Sequence, residues 1–102
     1  MDPRAALPST LHSPVRLAIL GSLRTVQQTE FAALQTTFEI PASELSRQLA
    51  ILEREGLIEL AKVRKGRRSV TLVRISDSGR QRFEDYLDAL HRIAFAHEPG
   101  QT

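Results

Sequence analysis

The residues best suited to chemistry form one short basic segment. Residues 62–74 hold six of the fourteen Lys and Arg residues and no acidic residue, whereas the rest of the chain holds eight basic and twelve acidic residues. A segment of charge +6 therefore sits on a body of charge −4. Because Lys and Arg displace condensed counterions from phosphates, such a cluster favours contact with a polyanion. The same charges would also keep an exposed strand edge from aggregating, and charge alone leaves both interpretations open.

Catalytic and metal-binding chemistry finds little support in the sequence. The absence of Cys excludes disulfides, thiolate metal sites and cysteine nucleophiles. No His has a Ser or Asp partner at the spacing of a catalytic motif, and no Gly-rich phosphate loop is present. His91 and His97 differ by about 120° around a helix, so they do not converge with Asp88 and Glu98 on one ion. We expect no enzyme activity, no metal and no cofactor.

Length and composition indicate one small folded domain. The chain has 102 residues, of which 41% are hydrophobic and 25% are charged. With five aromatic residues and no Trp, its core should be aliphatic. No apolar run approaches the ~18 residues that a membrane span needs, and the first ten residues lack the layout of a signal peptide. We therefore expect a cytoplasmic protein without a membrane segment.

Helix signals begin after a predicted irregular arm over residues 1–12, in which we expect a short helical turn near residues 7–11. Ser13 can cap a first helix with Pro14 at its first position, and this helix should end near Leu23. Thr29 can cap a second helix, with Glu30 in its first turn, that ends near Phe38.

A third helix should follow almost at once, over residues 42–55, because Pro41 is tolerated at a helix start. Gly56 supplies the left-handed residue that commonly ends a helix. Two helices joined by a turn of about three residues form a helix-turn-helix.

The second half of the chain predicts a β-hairpin and a last helix. Alternating β-favouring residues flank a turn near residues 65–67, which places the basic segment at the hairpin tip. Ser76 or Asp77 then opens an amphipathic helix that extends to about residue 97. Its apolar stripe is longer than a small core requires, so we expect it to form a homodimer together with the arm. The predicted dimer residues are Leu7, Leu11, Phe83, Tyr86, Leu87, Leu90, Ile93 and Ala94.

The third helix has an apolar face of Leu residues and an opposite polar face. On a helical wheel, the residues opposite the Leu stripe are Ser43, Arg47 and Arg54. This outer face is the one left free for a partner. If the polyanion favoured by the basic segment is DNA, Arg54 is one of its predicted contacts for this reason.

Individual residues of this helix suit different contacts. Arg47 has the reach and the donors to read guanine O6 and N7, whereas Ser43 and Ser46 suit phosphates. Glu44 is adverse near a phosphate, and it could select cytosine N4 or, as we favour, stabilise the helix N-terminus. Gln48 lies on the flank and contacts a base only if its side chain reaches round, in which case it could read adenine.

Four sequence blocks in order carry a family resemblance. They are HSPVRLAIL (12–20), FAAL (31–34), LSRQL with LEREGLI (45–58) and ISDSGR (75–80). Together they resemble the small bacterial or archaeal winged helix-turn-helix transcriptional regulators of the ArsR and MarR type. The resemblance implies a mainly α fold with a small β-hairpin wing, in the order helix, helix, helix, strand, strand, helix. It implies a single domain with an arm (1–12), a winged helix-turn-helix core (13–76) and a C-terminal dimerisation helix (77–97).

The resemblance also implies a function. Such proteins insert the third helix into the major groove of double-stranded DNA and place the wing along phosphates or the minor groove. We expect a homodimeric, sequence-specific repressor on an inverted repeat, with its effector unknown; the alternative is a winged-helix module that binds another protein. The expected wing contacts are Arg64, Lys65, Arg67 and Arg68, of which about half should touch DNA because neighbouring strand residues face opposite ways.

Two departures from the family pattern bear on recognition. Pro41 stands where relatives more often carry a capping residue, and Gln48 stands where many carry His. The second difference suggests an altered base preference. Arg16 and Arg80 lie in blocks that resemble the family, and we expect them to be structural ion-pair partners.

Overall fold

The computed structural model describes residues 9–95 of the chain. Ser9–Leu11 forms a short 3-10 helix ahead of the main elements. The helices are α1 (Pro14–Leu23), α2 (Phe31–Phe38), α3 (Ala42–Arg54) and α4 (Asp77–Phe95), and the strands are β1 (Thr29–Glu30), β2 (Ile58–Lys65) and β3 (Arg68–Ile75). The predicted order of three helices, a hairpin and a last helix is confirmed. Among these helices, none has the length and apolar character that crossing a bilayer would require.

Local signals set the helix ends where the sequence predicts them, with one exception. Ser13 Oγ accepts a hydrogen bond from Arg16 N at 3.3 Å and caps α1, and Gly56 adopts φ +73° just after α3. Thr29, predicted as the cap of α2, instead pairs with Val73 of β3, and Glu30 occupies the cap position without a side-chain bond. β1 has two residues, too few to show alternation in the sequence.

The hairpin carries the basic segment at its tip, as predicted. Lys65 pairs with Arg68 in the antiparallel register, so Gly66 and Arg67 form a two-residue turn. Gly66 has φ +68°, which the tight turn requires of its first central residue. The strand order is β1-β3-β2, so the wing is the distal part of a three-stranded sheet whose base packs on the helices.

The core is mainly aliphatic and draws on every helix. It includes Ile19, Leu20 and Leu23 of α1, and their apolar partners come from the other elements. These partners are Leu11, Leu34, Leu45, Leu49, Leu52, Leu57, Ile58, Val73, Ile75, Phe83 and Tyr86. The Leu face predicted for α3 is therefore confirmed as the buried one.

Burial corrects the predicted dimer surface. Leu11, Phe83 and Tyr86 are at most 5% exposed because they complete the core of their own chain. Leu7 lies outside the described residues. The predicted residues that remain on the surface are Leu87, Leu90, Ile93 and Ala94, and Phe95 joins them.

The first turns of α4 hold the carboxyl ends of two other helices. Arg80 Nη1 donates to Arg24 O at 2.8 Å, just after α1, and Arg82 Nη1 donates to Glu55 O at 2.9 Å, just after α3. Ser76 Oγ donates to Gly56 O at 2.6 Å. Carbonyls at helix ends lack intrahelical partners, and cations there also interact favourably with the helix dipole. Arg80 is thus structural, but within residues 9–95 it binds a carbonyl and not the expected carboxylate.

Candidate nucleic-acid interface

Helix α3 presents its predicted polar face to solvent. It begins at Ala42, with Leu45 N donating to Pro41 O at 3.0 Å and no side-chain cap. The exposed predicted contacts on this face are Ser43, Ser46, Arg47 and Arg54. Ala50 is exposed on the same face and was missed by the sequence interpretation, although the helical wheel places it there. Its small side chain allows close approach to a groove, and its methyl group suits the methyl group of thymine.

Arg47 is held in a bidentate pair with Glu44. Its Nε lies 3.2 Å from Glu44 Oε2 and its Nη2 lies 2.9 Å from Glu44 Oε1. The Arg47 side chain is nevertheless 64% exposed. The hydrogen bond from Arg47, reinforced by one from Gln48, lowers the pKa of Glu44, and the hydrogen bond to Glu44 raises the pKa of Arg47. Both shifts favour the charged forms of the two groups, and protonation of Glu44 in acid would weaken the pair.

Gln48 lies inside the protein, which corrects its predicted role. Its side chain is 5% exposed, and both ends of its amide are occupied. Arg16 Nη1 donates to Gln48 Oε1 at 2.9 Å, and Gln48 Nε2 donates to Glu44 Oε1 at 2.6 Å. Because the amide is buried and held at both ends within the protein, an altered base preference through Gln48 does not fit this geometry.

Arg16 links α3 to the segment before α1. Its Nε donates to Thr10 O at 2.6 Å in addition to the contact with Gln48. Arg16 is structural, as expected, but among the described residues its partners are a carbonyl and an amide, with no carboxylate. The sequence contains no signal for this link, since Arg16 and Gln48 are 32 positions apart.

The wing divides its basic residues into paired and unpaired groups. Lys65 Nζ lies 2.6 Å from Glu30 Oε2, and Arg74 Nε lies 2.7 Å from Glu59 Oε1. The hydrogen bond from Lys65 lowers the pKa of Glu30. Four other basic residues of the segment are exposed and form no ion pair with any residue in 9–95: Lys62, Arg64, Arg67 and Arg68. The surplus positive charge of the wing therefore resides on these four.

The two faces of the hairpin carry different cations. Lys62 lines a cleft of about 340 Å³ between α3 and the sheet, together with Ser46, Leu60 and Thr71. Strand alternation puts Arg64 on this same face, whereas Lys65 and Arg68 lie on the other face with Glu30. The expected division of the wing cations between two sides is therefore seen, and Lys62 joins Arg64 on the side of α3.

Side chains that could bind a metal ion do not cluster in the described part of the chain. Within residues 9–95, no three His, Asp or Glu side chains lie close enough together to hold an ion. His97 and Glu98, considered above as ligands, lie outside these residues.

Comparison with known proteins assigns the family. A family model described as "Winged helix DNA-binding domain" matches residues 15–94, which is most of the chain. The chain belongs to the winged helix DNA-binding domain family. No curated protein matches its sequence.

Solved structures with the same winged helix arrangement include several regulators. A transcriptional regulator homologue from Pyrococcus horikoshii has 27% identity and a TM-score of 0.86, and the match covers 96% of this chain and 99% of that one. YusO from Bacillus subtilis has 22% identity and a TM-score of 0.78, and the match covers 99% of this chain and 71% of YusO. A mutant MarR from E. coli, complexed with operator DNA, has 20% identity and a TM-score of 0.68, and the match covers 79% of this chain and 57% of that MarR chain. The predicted resemblance to winged-helix transcriptional regulators is confirmed by the family match and by the Pyrococcus horikoshii structure, and the MarR structure shares the fold.

Proposed function

We propose that this winged helix protein is a homodimeric transcriptional repressor that binds an inverted repeat in double-stranded DNA. In this proposal α3 enters the major groove, and the wing lies along the backbone or the minor groove. Residues 1–12 serve as an arm, residues 13–76 as the DNA-binding core and residues 77–97 as the dimerisation helix. The protein acts in the cytoplasm, where bacterial or archaeal chromosomal DNA lies, and its role is binding and not catalysis.

One observation carries the proposal: unneutralised cations lie on the wing beside a helix face that offers Arg47 to solvent. Phosphate binding needs the first feature and base reading needs the second. Arg64, Arg67 and Arg68 have no carboxylate partner among the described residues, so phosphates would not have to displace one. The MarR structure with operator DNA adds support, because it shares this fold.

The dimer part of the proposal rests on α4. Leu87, Leu90 and Ile93 follow one another at helical spacing and are each 36–38% exposed. An exposed apolar stripe of this kind on a helix suits pairing with a second copy. Symmetric pairing would place two α3 helices in successive major grooves about 34 Å apart, and the DNA site would share the two-fold symmetry.

The decisive experiment is selection of bound duplexes from a random pool. An enriched palindrome supports sequence-specific binding by a symmetric dimer. If the dimer neutralises about eight to ten phosphates, log affinity should fall with log salt at a slope of roughly −7 to −9. No enrichment, together with a nearly flat salt dependence, would favour the alternative module that binds another protein.

Two arginines should separate base reading from phosphate binding. Arg47→Ala should weaken the selected site by about 1–3 kcal/mol and leave the affinity for random duplex almost unchanged. Arg67→Ala should weaken both duplexes alike and make the salt slope shallower by about one unit. Titration of both variants against both duplexes at several salt concentrations measures these effects. Equal losses of Arg47→Ala on the two duplexes would remove Arg47 from base reading.

A further inference from the structure

A polar network connects the interior of the protein to the exposed face of α3. Its members, in order, are Thr10, Arg16, Gln48, Glu44 and Arg47. Gln48 is buried, Glu44 is half-buried and Arg47 is largely exposed. From Gln48 outward, burial therefore decreases toward the residue that faces the DNA in the proposed complex.

Donor and acceptor chemistry allows this network one arrangement. An Arg side chain only donates hydrogen bonds, and an ionised carboxylate only accepts them. Gln48 must therefore turn its Oε1 toward Arg16 and its Nε2 toward Glu44, as the 2.9 Å and 2.6 Å distances show. The buried amide of Gln48 holds Glu44 from the side of the protein interior, and both carboxylate oxygens of Glu44 accept from Arg47.

The bidentate pair leaves a defined part of Arg47 available. Glu44 uses the Nε and one Nη2 hydrogen of the guanidinium. The Nη1 group and the second Nη2 hydrogen form the free end of the planar fork, and two such parallel donors match guanine O6 and N7. An Arg without the carboxylate would have to give up its rotamer freedom on binding.

We propose that Glu44 is a positioning residue for base reading, which holds the Arg47 guanidinium with its free end directed at guanine, and that Arg16 and Gln48 hold Glu44 in place. This inference rests on the proposed function, because it needs Arg47 to read a base. It deepens that function by assigning specificity to a carboxylate that would itself repel phosphates. Glu44 then acts on sequence preference and not on overall affinity.

The proposal differs from a purely structural role in a measurable way. A carboxylate that only stabilises the N-terminus of α3 would, when removed, weaken binding to every duplex by the same factor. A positioning carboxylate affects only the duplex that Arg47 reads. Its removal also takes a negative charge away from the phosphates, so affinity for random DNA should hold or rise.

The test compares four variants: Glu44→Ala, Glu44→Gln, Arg47→Ala and the double variant. Each is titrated at one salt concentration against the selected duplex, the same duplex with the critical G·C pair replaced by A·T, and random DNA. Glu44→Ala should lower the preference for G·C about three- to tenfold without weakening random binding, as expected for freeing one long side chain. Glu44→Gln keeps one oxygen for Arg47 and should retain part of the preference. In the Arg47→Ala background, Glu44→Ala should cause no further loss.

The outcomes distinguish this inference from the proposed function. If Arg47→Ala lowers the preference and neither Glu44 variant does, the positioning role is wrong and base reading stands. A uniform loss on all three duplexes also overturns it. If Arg47→Ala leaves the preference intact, base reading by Arg47 fails and the inference fails with it. Thermal unfolding of each variant identifies any loss of fold. If Glu44→Ala does not fold, the G·C preference of Glu44→Gln tests the positioning role in its place.

Discussion

Leu90→Glu should make the protein a monomer and lower its affinity for an inverted repeat by about a hundredfold or more. Leu90 is 36% exposed in the single chain, and Leu87 and Ile93 lie beside it at 38% each. A charge at the centre of this stripe would have to be buried without a partner in the proposed dimer. The fold itself should survive, because the core does not include Leu90.

Gln81→Glu is the matched control for this substitution. It adds the same charge to α4 at an exposed position about 180° from Leu90 on a helical wheel. Sedimentation at micromolar concentration should show a dimer for this control and a monomer for Leu90→Glu, while both bind a single half-site alike. A dimer that persists in Leu90→Glu would place the interface elsewhere.

Gly79→Ala should destabilise the protein by about 3 kcal/mol or more, because α4 lies directly on the backbone between α3 and β2. A Cβ at Gly79 would overlap the carbonyl oxygen of Leu57 and come within 2.7 Å of its carbonyl carbon. These are backbone atoms, so no side chain can rotate away to make room. In thermal unfolding, we expect the midpoint to fall by about 12 °C or more.

Gly21→Ala provides the contrast, because it makes the same substitution in α1. A Cβ there would lie 3.7 Å from Phe83 Cζ, an ordinary contact. Ala is favoured over Gly inside a helix by roughly 0.5–1 kcal/mol, so this variant should unfold at the same or a higher temperature. Equal midpoints for Gly79→Ala and the unsubstituted protein would contradict the close approach of α4.

The predictions for Leu90 and Gly79 both concern helix α4 and its contacts with the end of α3. Close to Gly79 along the chain, Arg82 of α4 donates to Glu55 O, and Ser76, which directly precedes α4, donates to Gly56 O. The end of α3 is therefore tied to the start of the helix that carries the exposed apolar stripe. In a dimer formed through α4, the distance between the two α3 helices would follow from the dimer geometry, and so would the spacing of half-sites.

Much of the fold could be predicted because its signals are local. Ser13 with Pro14, Gly56 and Gly66 mark element ends through their own backbone preferences, and the structure places all of them as expected. The amphipathic face of α3 follows from its periodicity alone. β1 was missed because its two residues form a strand only through pairing with β3, which lies more than forty positions further along.

The candidate site could be predicted in part. The exposed face of α3 and the basic tip of the wing follow from residue type and spacing, but which cations stay unpaired does not. Arg74 is paired because Glu59 lies opposite it in the register of β2 and β3, and Lys65 is paired because its side chain reaches Glu30 of β1 on the same face of the sheet. Periodicity gives the direction in which a side chain leaves its helix or strand, but it does not identify what the side chain meets there.

The amino-acid sequence by itself determined most of the helix ends, the hairpin turn, the aliphatic core and the separation of a basic wing from an acidic body. Tertiary structure alone decided that Gln48 and Arg16 meet in the interior and that Leu11 and Phe83 are part of their own chain's core. It also decided that α4 packs at Gly79 against the backbone of Leu57. The first group depends on backbone preferences and charges that act over a few residues. The second depends on contacts between distant segments, whose partners exist only once the helices have packed.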